Sequence, residues 1–294
     1  RIAWLIQVEQ LSPYAVLAVT FTNKAAKEMR NRLDDMLGYS SQGMWVGTFH
    51  GLAHRLLKMH WQDAGLPENF QILDSDDQLR LVKRVYQALG IDDSRWPYRQ
   101  AQSFINSQKD EGLRSKHLQP AQDPYQRTML QIYTSYEEAC ERGGMVDFGE
   151  LLLRAHELWL NKPEILGHYQ QRFGQILVDE FQDTNAIQYA WLRVLAGKDI
   201  RITAVGDDDQ SIYGWRGAKV ENILNFNRDY PDTAMVRLEQ NYRSTKNILE
   251  AANAVISRNT DRLGKSLWTE DADGELISLY SAFNEHDEAR FIAD

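Results

Sequence analysis

The apolar run Ile176-Leu177-Val178 has no alternation and ends abruptly in Asp179 and Glu180. Such a run predicts a short strand buried on both faces of a parallel sheet. The same pattern recurs at residues 15–20 (AVLAVT), 44–48 (MWVGT) and 200–205 (IRITAV). Residues 234–239 (AMVRLE) and 276–281 read as further strands. Between these runs the apolar positions take a helical period. Helices are predicted over 25–37, ended by Gly38, over 49–60, over 186–195, and from Ser244 or Thr245 to Ile256. The two ends, 1–10 and 285–294, also carry helical patterns. Strands alternating with helices predict an α/β fold built on a parallel sheet.

From about residue 66 to 145 strand signals vanish and helical spacing dominates. Ser75 with Gln78 resembles a capping box for a helix running to Leu89, which Gly90 ends. Further helices are predicted over 103–110 and 125–142, with a Pro-containing loop at 119–124. Asp147 is a plausible N-cap for a helix over 147–160 that returns the chain to the sheet. The stretch therefore reads as a helical insertion in the α/β domain.

In open α/β sheets ligands bind beyond the carboxyl ends of the strands, which is where Asp179 and Glu180 fall. Adjacent carboxylates there suit hydrolysis of a magnesium nucleotide. One holds the metal, directly or through water, and the other orients or deprotonates the attacking water. Taken alone, the pair also reads as an acidic strand-to-helix turn. The 294-residue chain is 43% hydrophobic and 26% charged, and no apolar run approaches a membrane span of about 20 residues. Cys140 is the only cysteine, which excludes an internal disulfide and a cysteine-rich zinc site and fits a reducing, cytoplasmic setting. The net charge of −9 weighs against a broad nucleic-acid surface, though a motor needs few phosphate contacts at a time. Residue 1 is Arg with no signal pattern after it, and both ends read as helices cut in progress, as in a piece of a longer protein.

Five segments fall at strand ends in order: TFTNKAA at 20–26, GTFHGLAHR at 47–55, VDEFQDTN at 178–185, VGDDDQSIYGWRGA at 205–218 and LEQNYRS at 238–244. Together they resemble the superfamily 1 DNA helicases of the UvrD/Rep/PcrA type, over essentially the whole chain. The resemblance implies a RecA-like parallel sheet of the P-loop NTPase fold. Its first motor domain would comprise 1–65 and 146–238, with the insertion at 66–145 and the start of a second RecA-like domain at 239–294. It implies an ATP- and Mg2+-dependent enzyme moving 3′ to 5′ on single-stranded DNA and opening duplex–single-strand junctions. Roles in excision and mismatch repair, with repair proteins as partners, are implied as well. A helicase-nuclease subunit, a non-enzymatic single-strand-binding module and a metal-dependent phosphatase are the alternatives.

Carried over by motif, Asp179 is the magnesium-associated carboxylate and Glu180 the catalytic base. Gln182 and Asp183 belong to a network linking nucleotide to DNA, or are polar residues of a helix start. Gln210 donates to the γ-phosphate. The preceding Asp207, Asp208 and Asp209 read as a solvated turn more readily than as a second metal cluster. Tyr242 stacks on adenine, and Arg243 reaches the γ-phosphate or is a structural arginine pairing one of the many acids. Phe21, Thr22, Asn23, Thr48, Phe49 and His50 contact the DNA strand, with His50 equally readable as structural. Tyr213 and Trp215 stack on bases, or pack on a neighbouring domain, and Arg216 serves a phosphate or an interdomain contact. Lys109, Arg114, Lys116 and His117 of the insertion read as solvated surface or as duplex contacts. The family's loop G-x-x-x-x-G-K-[ST], whose amides and lysine hold phosphates, is missing from these residues. Gly264-Lys265-Ser266 has the tripeptide without the upstream glycine. Weak ATP binding and almost no hydrolysis are therefore expected of these residues by themselves.

Overall fold

A computed structural model describes residues 1–119, 123–260 and 262–294, so residues 120–122 of the loop expected at 119–124 lie outside the described residues. The chain divides into two compact units, Arg1–Asn225 and Phe226–Asp294.

In the first unit, a short helix α1 (Ile2–Gln7) precedes β1 (Val16–Thr20), α2 (Asn23–Leu37), β2 (Trp45–Thr48) and α3 (Phe49–Met59). The chain then enters β3 (Gln71–Leu73), α4 (Ser75–Leu89), α5 (Tyr98–Asp110), α6 (Pro124–Gly143) and β4 (Met145–Asp147). It returns through α7 (Phe148–Asn161), α8 (Pro163–Arg172), β5 (Gln175–Val178), α9 (Ala186–Ala196), β6 (Arg201–Ala204) and the single turn α10 (Glu221–Leu224).

The main sheet has the order β2-β1-β5-β6 and every pairing is parallel. Val16, Leu17, Ala18 and Val19 of β1 are fully buried, each large side chain worth about 1.5–3 kcal/mol. One face is covered by α1 and α2 through Ile2, Ile6 and Leu33. Elsewhere in the unit α7 packs on α3 and α9, around an aromatic cluster in which Tyr169 meets Trp159 at 5.1 Å and Trp45 at 5.4 Å. The predicted strand at 200–205 is an edge strand, with Arg201 exposed and the rest half-buried, because β6 has a single neighbour.

The insertion packs α4, α5 and α6 around Val82, Tyr86, Ile105, Ile132, Tyr133 and Tyr136. Helix α4 is capped by Asp74 rather than Ser75, its carboxylate accepting the amides of Asp76 and Asp77 at 2.9 and 2.8 Å. Helix α5 starts at Tyr98, ahead of the predicted 103. A second, two-stranded parallel sheet was not expected: Gln71 pairs with Met145 and Leu73 with Asp147. It joins the entry and exit of the insertion side by side. Gly144 (φ 60°) makes this possible, since a Cβ there would lie 2.7 Å from Pro67 Cγ.

Lys109 and Arg114 are not surface cations. Lys109 is fully buried and its Nζ lies 2.8 Å from Asp147 and 3.1 Å from Glu150. Arg114 reaches Glu137, Glu150 and Glu157 at 3.1, 2.7 and 2.5 Å, and Arg154 joins Glu150 at 2.8 Å. Burial works to raise the Glu150 pKa, but Lys109, Arg114 and Arg154 outweigh it and hold the carboxyl far below its usual range. Asp147 is the N-cap of α7, as expected, through the amide of Glu150 at 2.8 Å.

The second unit holds α11 (Phe226–Asp229), α12 (Lys246–Ile256) and α13 (Glu285–Ala293). The strands expected at 234–239 and 276–281 are not formed. The described residues offer only the isolated bridge Gln240–Trp268. Val236, Leu238, Leu276 and Leu279 stay exposed. An extended segment without a ladder partner leaves its N–H and C=O groups to water, so nothing fixes it as a strand.

Candidate nucleotide and DNA site

The acid pair follows β5 directly. The Asp179 amide donates to the Val19 carbonyl at 2.9 Å and the Phe181 amide to the Val205 carbonyl at 2.9 Å. Between these anchored peptides Glu180 adopts φ 52°, ψ 43°, a left-handed conformation that costs a glutamate about 1–2 kcal/mol. Its side chain is exposed, whereas Asp179 is half-buried. Burial and then the neighbouring Glu180 charge raise the Asp179 pKa, and the same causes raise that of Asp183.

A chain of hydrogen bonds leads from Glu180 to the next strand end. Buried Gln182 donates Nε2 to Glu180 Oε2 at 2.8 Å, and its Oε1 accepts the Asp207 amide at 3.0 Å. Asp207 Oδ2 in turn accepts from Gln210 Nε2 at 2.7 Å. Gln182 passes so close to Gly206 that a Cβ there would lie 2.7 Å from its Oε1. Asp207 also caps its turn by accepting the Asp209 amide at 3.1 Å. The acidic triplet is thus a capped turn that holds Gln210. Among the described residues no three His, Cys, Asp or Glu gather as a metal cage.

At the ends of β1 and β2, Thr22 and Thr48 are helix N-caps, accepting the amides of Ala25 at 3.0 Å and Gly51 at 3.1 Å. Asn23 and Lys24 stand exposed in the first turn of α2. Phe21 is half-buried, with its ring 5.5 Å edge-on from Phe49. Phe49 is only 2% exposed, and its ring buttresses Phe21 from the core. His50 is partly buried against Phe148 at 5.8 Å, and burial pushes its pKa down to about 4. It is therefore neutral near pH 7 and can offer a hydrogen bond but no cationic charge.

Tyr213 and Trp215 lie on a short turn ended by Gly217 in the left-handed region (φ 83°). Trp215 is 74% exposed, and the rings stand 6.4 Å apart. The Arg216 guanidinium lies over both, 4.4 Å from the Trp215 ring and 5.1 Å from Tyr213. Cation–π attraction of this kind stiffens the platform. In the second unit, Tyr242 is exposed and donates its hydroxyl to Gln240 at 2.7 Å. The Asn241 side chain accepts the amides of Arg243 and Ser244 at 2.9 and 2.8 Å, leaving the Arg243 side chain exposed.

The donor set fits a hydrated magnesium ion. Asp179 and Glu180 supply hard carboxylate oxygens, and the buried Thr20 hydroxyl and Asp183 Oδ1 have no protein partner. Magnesium keeps several waters and phosphate oxygens and needs only one or two carboxylates from protein. Sequence reasoning assigned no role to Thr20, the first residue of the segment 20–26 and the last of β1. It also missed Asn185, which donates to Asp110 at 2.8 Å.

These features define an α/β protein of the open parallel-sheet class, with acids and amides gathered at the carboxyl ends of neighbouring strands. Within that class the chain belongs to the UvrD/REP helicase family: a family model of the UvrD/REP helicase N-terminal domain matches residues 1–231, and one of the UvrD-like helicase C-terminal domain matches 236–294. Over 294 residues the chain is 65% identical to DNA helicase II of Escherichia coli (strain K12), using 100% of this chain and 41% of that protein. It is 56% identical over 297 residues to DNA helicase II of Haemophilus influenzae, again covering 41% of the relative. The ATP-dependent DNA helicase PcrA of Leuconostoc citreum is 45% identical over 294 residues, matching 99% of this chain and 39% of its own length. The chain thus spans about two-fifths of the relatives it resembles.

Proposed function

We propose that this chain supplies most of the first, RecA-like motor domain and the start of the second in an ATP-dependent DNA helicase. That protein translocates 3′ to 5′ on single-stranded DNA and opens duplex–single-strand junctions, with DNA repair as its setting and the cytoplasm as its location. The observation that carries the reading is the bonded path Glu180–Gln182–Asp207–Gln210 across the ends of β5 and β6. It ties a candidate general base to a neutral amide able to donate to a phosphate.

In this reading Asp179 holds magnesium, directly or through water, and a bound ion supplies neutralisation of phosphate charge. Glu180 orients the attacking water and accepts its proton. Its aim is set by the left-handed backbone and by the Gln182 amide. Gln210 donates to the terminal phosphate and registers its loss. Tyr242 stacks on the base of the nucleotide, and Arg243 stabilises charge on the transferring phosphoryl group. Phe21, Thr22, Asn23, Thr48, Phe49 and His50 form the strand path, with Phe49 acting through Phe21, and Tyr213 with Trp215 offers ring faces to bases. The residues of this chain by themselves bind ATP weakly and hydrolyse almost none, because no phosphate-holding loop is among them.

The test is Glu180→Gln in the whole protein. ATP binding stays near that of the parent, while DNA-stimulated hydrolysis falls by at least about a hundredfold, the scale of a lost general base. Turnover within about tenfold of the parent, roughly 1.4 kcal/mol of barrier, overturns the assignment.

A further inference from the structure

Three consecutive residues at the end of α5 reach three different parts of the first unit. Lys109 points inward to Asp147 and Glu150. Asp110 Oδ1 accepts from Asn185 Nδ2 at 2.8 Å, and Asn185 is the N-cap of α9, five residues beyond the general base. Glu111 Oε1 pairs with Lys219 Nζ at 2.7 Å. Lys219 closes the circuit, since its amide donates to the Thr184 carbonyl at 2.9 Å. Asn222 strengthens it by donating Nδ2 to the carbonyl and hydroxyl of Thr184, both at 3.0 Å. Gly217, the end of the aromatic turn, lies beside Asp110, where a Cβ would make ordinary contact at 3.5 Å from Oδ2. The segment that carries Tyr213 and Trp215 is therefore pinned from two sides, by the peptides that follow the acid pair and by the helical insertion.

We propose that Asp110 and Glu111 are positioning residues that lock the 213–219 segment to the insertion, so that the insertion sets the placement of the stacking rings relative to the acid-bearing strand end. The coupling role rests on reading those rings as DNA contacts; the lock itself does not. The two bonds differ in strength. Asp110–Asn185 is largely withdrawn from water, and burial, then the charges of Glu111 and Asp147, push the Asp110 pKa up to about 6. Glu111–Lys219 is half-exposed on both sides, and such pairs contribute little by themselves. The Asp110 bond acts through Asn185 and Thr184, the peptides that hold the Lys219 amide, while the Glu111 pair is the direct link to the segment.

The test uses the whole protein with three readouts: amide hydrogen exchange of the 211–219 peptide, affinity for an oligothymidylate strand, and ATP turnover without DNA. Asp110→Ala leaves the Asn185 amide unpaired. It is expected to speed exchange and weaken strand affinity by about tenfold each, the scale of one hydrogen bond to a charged group. DNA-free turnover should stay within about twofold of the parent, since no nucleotide contact is touched. Asp110→Asn keeps an acceptor oxygen and restores both properties. Glu111→Lys and Lys219→Glu should each cost about threefold in strand affinity, and the reciprocal double variant should recover it. Unchanged exchange in Asp110→Ala, damage by Asn equal to that by Ala, or no recovery in the double variant overturns the lock. If exchange responds as expected while strand affinity is unmoved in these variants and in Trp215→Ala, the lock stands and the DNA reading of the rings falls.

Discussion

Replacing Lys109 by methionine separates the two readings of that residue, since the chain length is kept and only the charge is lost. A surface cation substituted in this way changes stability by no more than about 0.5 kcal/mol. In the structure Lys109 is 1% exposed and bonded to Asp147 and Glu150, with its ammonium 5.4 Å from the centre of the Tyr136 ring. The cluster sets Lys109, Arg114 and Arg154 against Asp147, Glu150, Glu137 and Glu157, a formal balance of −1 that becomes −2 without the lysine. Asp147 keeps the Tyr136 hydroxyl at 2.7 Å and the Glu150 amide at 2.8 Å, but no cation. Breaking one side of a buried pair costs about 3–5 kcal/mol. Urea titration followed by tryptophan fluorescence should show that loss as a lower midpoint at unchanged slope. Adding Asp147→Asn to Lys109→Met should recover part of it, because the stranded charge is removed. The loss should also shrink at acid pH, where the uncompensated carboxylates take up protons and the folded state gains stability. A loss under about 1 kcal/mol, or one that grows as pH falls, would refute the argument.

Trp215→Ala should weaken single-strand binding by about 1–3 kcal/mol, the worth of one base stack, with nucleotide affinity unchanged in equilibrium titrations. The depressed pKa of His50 means that the unfolded chain binds a proton between pH 6.5 and about 4 that the folded chain refuses. Its stabilising contribution is present above pH 6.5 and lost as pH falls through that window, by about 3 kcal/mol. His50→Gln should flatten the pH dependence of the urea midpoint there, and an unchanged curve would count against a buried neutral imidazole. Gly206→Ala should drive Gln182 off Glu180 at a cost of about 1–3 kcal/mol of overpacking. In the whole protein it should slow ATP turnover more than it weakens ATP binding.

The main sheet was legible because β1, β2 and β5 are short apolar runs whose ends carry capping residues, Thr22 and Thr48 among them. The polar strand ends were legible as motifs, but their wiring was not. That Gln182 links Glu180 to Asp207 depends on a close approach to Gly206, which no local pattern encodes. Strands β3 and β4 are three residues each, too short for periodicity, and pair across a long separation in sequence. Lys109 looked like surface because lysine seldom goes inside. Its spacing gave it away: it follows buried Ala101 and Ile105 on the same stripe of α5. The segments expected as strands at 234–239 and 276–281 have apolar patterns but form no ladder among the described residues, and pattern alone does not make one.

The two-stranded ladder of β3 and β4 gives the helical lobe a single doorway. The polypeptide leaves and re-enters through adjacent, parallel threads, so lengthening or trimming the turn between α4 and α5 is expected to shift no strand of the main sheet, whereas the connection after α5 carries Glu111 and Arg114. What such remodelling must respect is the end of α5, where lobe and platform are laced together. The lobe is thus free to vary at its far tip and constrained at its threshold.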